Sequence, residues 1–347
     1  MSRPTPTRPP TMADVARAAG VSRALVSTVF RNVPGASAST RARVLETAQS
    51  LGYRIDNRAR RLRRSPTQVL GVMFRVHDAF NADLVHALYT EAGAAEHELV
   101  LSAVLPDHLR RSEQVAVDTL LDNRCDALIL VSPQMSDDQL DAIGRQVPTT
   151  VVARPAGVES CDVVRTEDAA VADLAVGHLH ALGHRDITHL DGADARGAPE
   201  RRRAYLDAMS RLGLEARARV VPGGFTEAAG VLAARGVLRG DAPPTALLAF
   251  NDSAAIGALL ELRHEGRRVP DEVSLIGFDD VRMGALPHIE LTSIGQDVTG
   301  LAREAVECAR TRFVEPVRPA REVLVGPSLA RRATTGPVCG GGPWAQR

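Results

Sequence analysis

The sequence predicts an α/β protein, a two-lobed body of parallel sheets that carries an all-α, helix-turn-helix head at its N-terminus. Three observations predict it. Three short helical patterns fill the first fifty residues, β-rich apolar runs alternate with amphipathic helices after Pro66, and charge divides unequally between the two parts. Residues 1–64 hold thirteen arginines and three acids, a surplus of ten positive charges. The whole chain has 42 basic and 42 acidic residues, so the remainder carries an equal excess of negative charge. The neutral total conceals a basic head on an acidic body, and such a head is an electrostatic footprint for phosphates.

The head reads as follows. Residues 1–10 form a Pro-rich arm expected to be disordered, and residues 11–56 form the compact unit. Thr11 with Asp14 makes a capping box for a first helix, and Ser22 caps a second beyond Gly20-Val21. Val15, Ala19, Val21, Val26 and Val29 recur at helical spacing, so both helices can share one small core. A third helix, capped near Ser39-Thr40, places Val44, Ala48 and Leu51 on one face and stops at Gly52. In this layout the second helix enters the major groove and presents its early residues to base edges. Those residues are Arg23, Ala24 and Thr28, with Ser22 at the cap. Arg23 can fork onto guanine O6 and N7 or grip a phosphate, and Ala24 offers only a methyl surface.

Residues 57–66 read as a hinge helix and linker, about two turns long and too short to be stable alone. Arg58 and Arg61 belong to the arginine cover around Leu62. So much charge is costly to bury, which disfavours packing of Leu62 against the body.

The body, residues 67–333, shows apolar runs at Val69–Phe74, Leu99–Val104, Ala127–Val131, Thr150–Val152, Ile187–Leu190, Val220–Val221, Ala246–Ala249 and Ser274–Ile276. Helical stretches fill the gaps, including Asp83–Glu96, Glu113–Asn123, Ala170–Leu182, Arg201–Leu212, Thr226–Arg239 and Asp252–Glu265. This alternation argues for parallel sheets with helices on both faces, and its length suits two lobes. Residues 334–347, rich in glycine, read as a flexible tail.

Composition and motifs narrow the function. Cys125, Cys161, Cys308 and Cys339 are widely spaced and suggest neither a zinc site nor a disulfide framework. The N-terminus lacks a signal peptide's apolar stretch, and no apolar run approaches the ~18 residues of a membrane span. A cytoplasmic, nucleoid-associated protein without membrane contact is the expectation. No nucleophile elbow, P-loop or dinucleotide fingerprint is found, so no catalytic residue, cofactor or metal is assigned. His180 and His184 have the spacing of a two-histidine metal site, but Gly183 between them reads as a helix end.

At this point the chain resembles the lactose-repressor (LacI/GalR) family of transcriptional regulators, from about Thr11 to Ala333. Asp14-Val-Ala-Arg-Ala-Ala-Gly-Val-Ser22 with Val26-Ser27 matches the family's head. Leu51-Gly-Tyr-Arg with Ala59-Arg-Arg-Leu-Arg63 is similar to its hinge. Leu182-Gly-His184, Asn251-Asp252, Val269–Asp280 and Leu291–Gln296 follow its body landmarks in order. The resemblance implies a periplasmic-binding-protein-like body, and a repressor that binds double-stranded operator DNA as a homodimer. It implies that Leu62 wedges into the minor groove, and that a small-molecule effector, a sugar or alternatively a corepressor purine, binds between the lobes. Carried over residue by residue, the effector contacts are Arg201, Asn251, Asp252, Asp279 and Gln296, with Phe80 and Phe225 as stacking surfaces. For Asn251 and Gln296 a cap or hinge role stays open.

The chain departs from the pattern at Leu25 and Thr28, where the family has Thr and Arg, and at Arg31, Ile55, Asp78-Ala79-Phe80 and Ala153. These departures touch operator sequence and effector identity. A transporter's solute-binding protein shares such a body, but not the basic head.

Arg23→Ala is expected to cost about 1–3 kcal/mol of operator affinity and relax preference at one base position of each half-site. Arg61→Ala should instead weaken all sequences alike and flatten the salt dependence. Binding titrations on operator variants at two salt concentrations check both, and uniform losses from both changes would make Arg23 a phosphate clamp.

Overall fold

The computed structural model describes residues 11–30, 35–51, 68–76, 78–105, 109–240 and 243–338. The chain divides into two compact units, Met1–Ser65 and Pro66–Arg347.

In the first unit, α1 (Met12–Ala19), α2 (Arg23–Phe30) and α3 (Ala38–Ser50) enclose a core of Val15, Ala16, Ala19, Val26, Val29, Val44 and Ala48. The capping box forms, with the Thr11 amide donating to Asp14 Oδ2 at 2.9 Å. Gly20 adopts φ 65°, a left-handed C-cap that residues with a Cβ rarely take. The Val21 amide then bonds back to Ala16 O at 3.0 Å, which turns the chain into α2. Two sequence expectations shift here. The cap of α3 is Ser37, whose Oγ accepts from the Thr40 amide at 3.2 Å, rather than Ser39-Thr40. Leu51 lies beyond the end of α3 and is 40% exposed, so it leaves the core face that Val44 and Ala48 keep. The arm and the hinge, with Arg58, Arg61 and Leu62, lie outside the described residues.

The second unit has two six-stranded sheets. The first contains β1 (Val69–Arg75), β2 (Glu98–Val104), β3 (Ala127–Val131), β4 (Thr149–Val152), β5 (Asp162–Thr166) and β11 (Glu322–Val325). Their spatial order is β11-β5-β4-β3-β1-β2, all parallel. The second contains β6 (Ile187–Leu190), β7 (Arg219–Val221), β8 (Ala246–Ala249), β9 (Ser274–Asp279), β10 (Thr292–Gly295) and β12 (Ser328–Ala330), ordered β12-β10-β9-β8-β6-β7. Only β12 runs antiparallel there, beside β10.

Helices cover both faces of each sheet, because alternate strand residues point to opposite sides. Leu70 and Val72 pack with α4 (Ala79–Ala94) and α11 (Val298–Val314), while Val69 and Met73 pack with α5 (Leu109–Asp122) and α6 (Asp137–Gly144). In the second lobe α7 (Asp168–Ala181) and α8 (Ala198–Arg211) take one face, α9 (Glu227–Leu238) and α10 (Asp252–His264) the other. The last two approach so closely that a methyl on Gly257 would collide with Glu227 O, and one on Gly230 with Ala254 O.

The chain crosses between lobes three times, at residues 166–168, 295–298 and 325–328. The tail is shorter than the sequence predicts. Thr334 is fully buried, its Oγ1 donating to Leu275 O at 2.7 Å and accepting from the Thr292 amide at 2.8 Å. The Val338 amide bonds Leu182 O at 3.0 Å. Glycine content pointed to flexibility, but a hydroxyl satisfied on both sides anchors residues 334–338 to the second lobe.

A buried charge cluster ties α11 to the first sheet. Asp162, fully buried on β5, accepts from Arg312 Nη2 at 2.6 Å and Nε at 3.1 Å, from the Arg321 amide at 2.9 Å, and from Arg318. Asp162→Ala strands the buried Arg312 guanidinium, and is expected to lower stability by about 3–5 kcal/mol in urea unfolding. A loss under about 1 kcal/mol would mean that water reaches Arg312.

Candidate functional sites

The start of α2 is the exposed end of the head. Arg23 and Ala24 are exposed at its first two positions. Ser22 Oγ accepts from the Leu25 amide at 3.1 Å, which caps the helix and leaves the hydroxyl proton free for another acceptor. Thr28 is half-buried, and its hydroxyl donates back to Ala24 O at 3.1 Å. Its proton is spent within the helix, so toward a base it offers an acceptor and a methyl.

In the body, the carboxyl ends of the strands face a cleft between the lobes, where open α/β sheets present ligand sites. Six of the seven side chains assigned from sequence (Phe80, Arg201, Phe225, Asn251, Asp279 and Gln296) line one inner cavity of about 50 Å³. It lies beside a larger cavity of about 430 Å³, and Gln134, Arg154, Arg196 and Phe225 line both.

Arg201, in the first turns of α8, is the most constrained of the six. Its guanidinium lies 4.0 Å from the Phe278 ring centre and 4.5 Å from that of Phe250. Nη1 donates to Phe250 O at 2.9 Å, and Nε lies 3.4 Å from Asp168 Oδ1. Two aromatic faces and two acceptors hold the fork in one plane.

Asp279 closes β9, at φ 120°, and burial pushes its carboxyl well above the usual carboxylate range. Gln296 Nε2 donates to Asp279 Oδ1 at 2.7 Å, and Gln296 Oε1 accepts from Thr166 Oγ1 at 2.6 Å. Gln296 and Thr166 sit at two of the three crossings, so Gln296 joins a hinge to the cavity wall. Asn251 caps α10, its Oδ1 accepting from the Ala254 amide at 2.9 Å, while Nδ2 donates to Phe225 O at 3.0 Å. The cap role left open from sequence is therefore filled.

Two expectations are corrected. Phe80 borders the cavity, but its ring packs into the first-lobe core at 5% exposure, which leaves little face for stacking. Asp252 turns away from the cavity. It is fully buried, accepting from Ser293 Oγ at 2.6 Å and from the Val281 amide at 2.9 Å. Gly277 has no side chain because a methyl there would collide with Asp252 Oδ1. His184 is likewise a structural residue, bonded to Thr245, Ser274 and Gly336, each at 3.0 Å.

Sequence reasoning missed Arg75, Ser132, Gln134, Arg154 and Arg196 as lining residues, while Asp78 opens the departure Asp78-Ala79-Phe80, which bears on effector identity. Most follow the ends of β1, β3 and β4, so the strand-end rule applied to the first lobe would have found them. Arg154 pairs with Asp137 at 2.7 Å, and Arg75 with Asp78 at 3.1 Å while lying 5.8 Å from the Phe225 ring centre.

A ligand-binding body and a head that presents a recognition helix define the class, a DNA-binding regulator with a small-molecule site. Comparison with known proteins agrees. Residues 11–56 match the family described as bacterial regulatory proteins, lacI family, and residues 176–335 match a periplasmic binding protein-like domain. The HTH-type transcriptional regulator GalR of Escherichia coli K12 is 33% identical over 93% of this chain and 94% of its own length. A LacI transcriptional regulator from a Rhodococcus species is 44% identical, covering 78% of this chain and 99% of its own, with a TM-score of 0.75. The lac repressor dimer bound to operator and the anti-inducer ONPF is 26% identical over 95% of this chain and all of its own, with a TM-score of 0.80. The chain belongs to the lacI family and is a DNA-binding transcriptional regulator. Among the described residues no helix is long and apolar enough to cross a membrane.

The buried Asp252 makes stability depend on pH. Burial lifts its carboxyl from the ordinary 3.8 to about 6. Between those values the unfolded chain ionises and the folded chain does not, so stability falls as pH rises through the window. Relative to Asp252→Asn, the native chain should lose about 3 kcal/mol of unfolding free energy over that range. Parallel urea titrations check it, and a pH-independent difference would show that Asp252 ionises freely in place.

Proposed function

We propose that the chain is a transcriptional repressor whose operator affinity is switched by a small molecule bound between the lobes, a sugar or sugar-like metabolite acting as inducer. Two copies, joined mainly through their bodies, bind one near-palindromic operator, each head reading half of it. Arg23, Ala24, Thr28 and Ser22 serve the major-groove contact, and Arg58, Arg61 and Leu62 the hinge contact. The protein works in the cytoplasm on chromosomal DNA, as a regulator and not as an enzyme.

The observation that carries this reading is the convergence of four carried-over side chains, Arg201, Asn251, Asp279 and Gln296, with Phe80, Phe225 and first-lobe arginines on one polar cavity. A ligand there touches groups on either side of the crossings, so its binding depends on the angle between the lobes. Only such unequal affinity for two arrangements can shift their populations. The likeness to a lac repressor dimer bound to operator supports the dimeric, operator-binding part.

A thermal-shift screen of metabolites tests the reading. A ligand at about 100 times its dissociation constant adds about 2.7 kcal/mol of stability. The hit should weaken operator binding in a fluorescence titration, and Asp279→Ala should abolish both effects. A shift that survives Asp279→Ala would misplace the pocket, and a hit that tightens operator binding would make the ligand a corepressor.

A further inference from the structure

Three of the four guanidinium groups at the inner cavity have a carboxylate partner, but two of them keep a buried N–H group without an acceptor, and the fourth has no ion-pair partner among the described residues. The inner cavity is lined by Arg75, Arg154, Arg196 and Arg201, against two carboxylates, Asp78 and Asp279. Arg196 is exposed and forms no ion pair among the described residues, and Arg201 shares Asp168 with Arg165. Two donors are buried without an acceptor, Arg75 Nη1 and Arg154 Nε. The Arg154 side chain is only 3% exposed, so no bulk water substitutes. Burial also pushes the Asp279 carboxyl above the usual carboxylate range.

The outer cavity has the opposite character. Asp137, Asp194, Glu200 and Glu322 line it against only Arg154 and Arg196. Carboxylates at a cavity wall accept hydrogen bonds from hydroxyls and repel anions.

We infer that the effector carries an anionic group, a phosphate or a carboxylate, on a hydroxyl-rich body, with the anion held at the inner end by Arg75, Arg154 and Arg196 and the hydroxyls facing the outer acids. The inference rests on the effector reading above and names its ligand class. An oxyanion supplies several lone pairs to N–H groups that lack acceptors, and planar guanidinium forks match it two bonds at a time. The inner cavity, about 50 Å³, suits the small charged group, and the 430 Å³ beside it the uncharged remainder. A neutral sugar would offer Arg196 no counter-charge and the free N–H groups of Arg75 and Arg154 only weaker, uncharged acceptors.

The test uses the full chain and small anions. Sodium phosphate and sodium acetate are titrated at constant ionic strength, with sodium chloride as balance, and read by thermal shift and calorimetry. At least one should bind saturably, phosphate pointing to a phosphorylated ligand and acetate to an acid. Arg196→Gln and Arg75→Gln should each weaken that binding by about tenfold or more. Arg196 is exposed and unpaired, so its replacement keeps the test valid should the Arg75 variant fold poorly. Glucose 6-phosphate and gluconate, titrated beside glucose, extend the comparison to whole ligands. Saturable anion binding that survives the foldable substitutions overturns the inference, and so does the lack of saturable binding by either anion. Glucose binding as tightly as both anionic forms, with loss on Asp279→Asn, also overturns it while leaving the effector site standing. Binding of all probes that ignores Asp279→Asn would sink the effector site as well.

Discussion

The body depends on one amide, that of Gln296. It takes a hydrogen bond from Thr166 at the end of β5 and gives one to Asp279 at the end of β9, both within 2.7 Å. Thr166 and Gln296 stand at two of the three places where the chain passes between lobes. A change in lobe angle must therefore be felt at Asp279, and a ligand that replaces Gln296 at Asp279 must be felt at the crossings. Asp279 and Thr166 are buried, so losing these bonds is costly and the element prefers discrete arrangements to gradual ones. That property is what a switch requires.

Around this bridge the lobes contribute unlike chemistry. The second lobe supplies rigid groups, with Arg201 held between two rings and Asn251 committed to a helix cap. The first lobe supplies Arg75 and Arg154, each with one bonded and one unbonded edge. A ligand that satisfies the first lobe while docking on the second gains most when the lobes sit at one particular distance. The differential affinity that shifts a population arises from that mismatch.

Much of this was readable beforehand, for reasons visible in particular residues. Strands such as Ala127–Val131 are buried on both faces and read as continuous apolar runs, so alternation with helices exposed the architecture. Strands β5, β11 and β12 were missed, and β10 was legible only through the landmark Leu291–Gln296. Asp162–Thr166 carries an aspartate and an arginine, while Glu322–Val325 and Ser328–Ala330 are short, half-exposed edge strands. Helix α11 also escaped, because its apolar stripe is built from small residues such as Ala302, Ala305 and Ala309. The second-lobe contacts came from motifs. Arg75 and Arg196 lie in no motif, and Arg154, which follows the departure at Ala153, gains a role only when strand ends converge. Phe80 and Asp252 failed for the opposite reason, since residue type at a familiar place does not say which way a side chain turns.

The head poses a sharper limit on specificity. Its described core consists of valines and alanines, with Met12, Val21, Phe30 and Ala36 only partly buried around it. So small an apolar core stabilises weakly, and it leaves few rigid positions from which to read bases. Of the recognition positions, Ala24 has no polar atom and Thr28 has turned its proton inward. Arg23 alone keeps a full set of donors at the helix start. Hydrogen-bond donation to bases by these positions thus narrows to Arg23 and the Ser22 hydroxyl, with methyl contacts from Ala24 and Thr28, so the surrounding charge carries a large share of the binding energy. Discrimination at other base pairs then depends on how readily the duplex bends to meet that charge, a property of DNA sequence that needs no base contact.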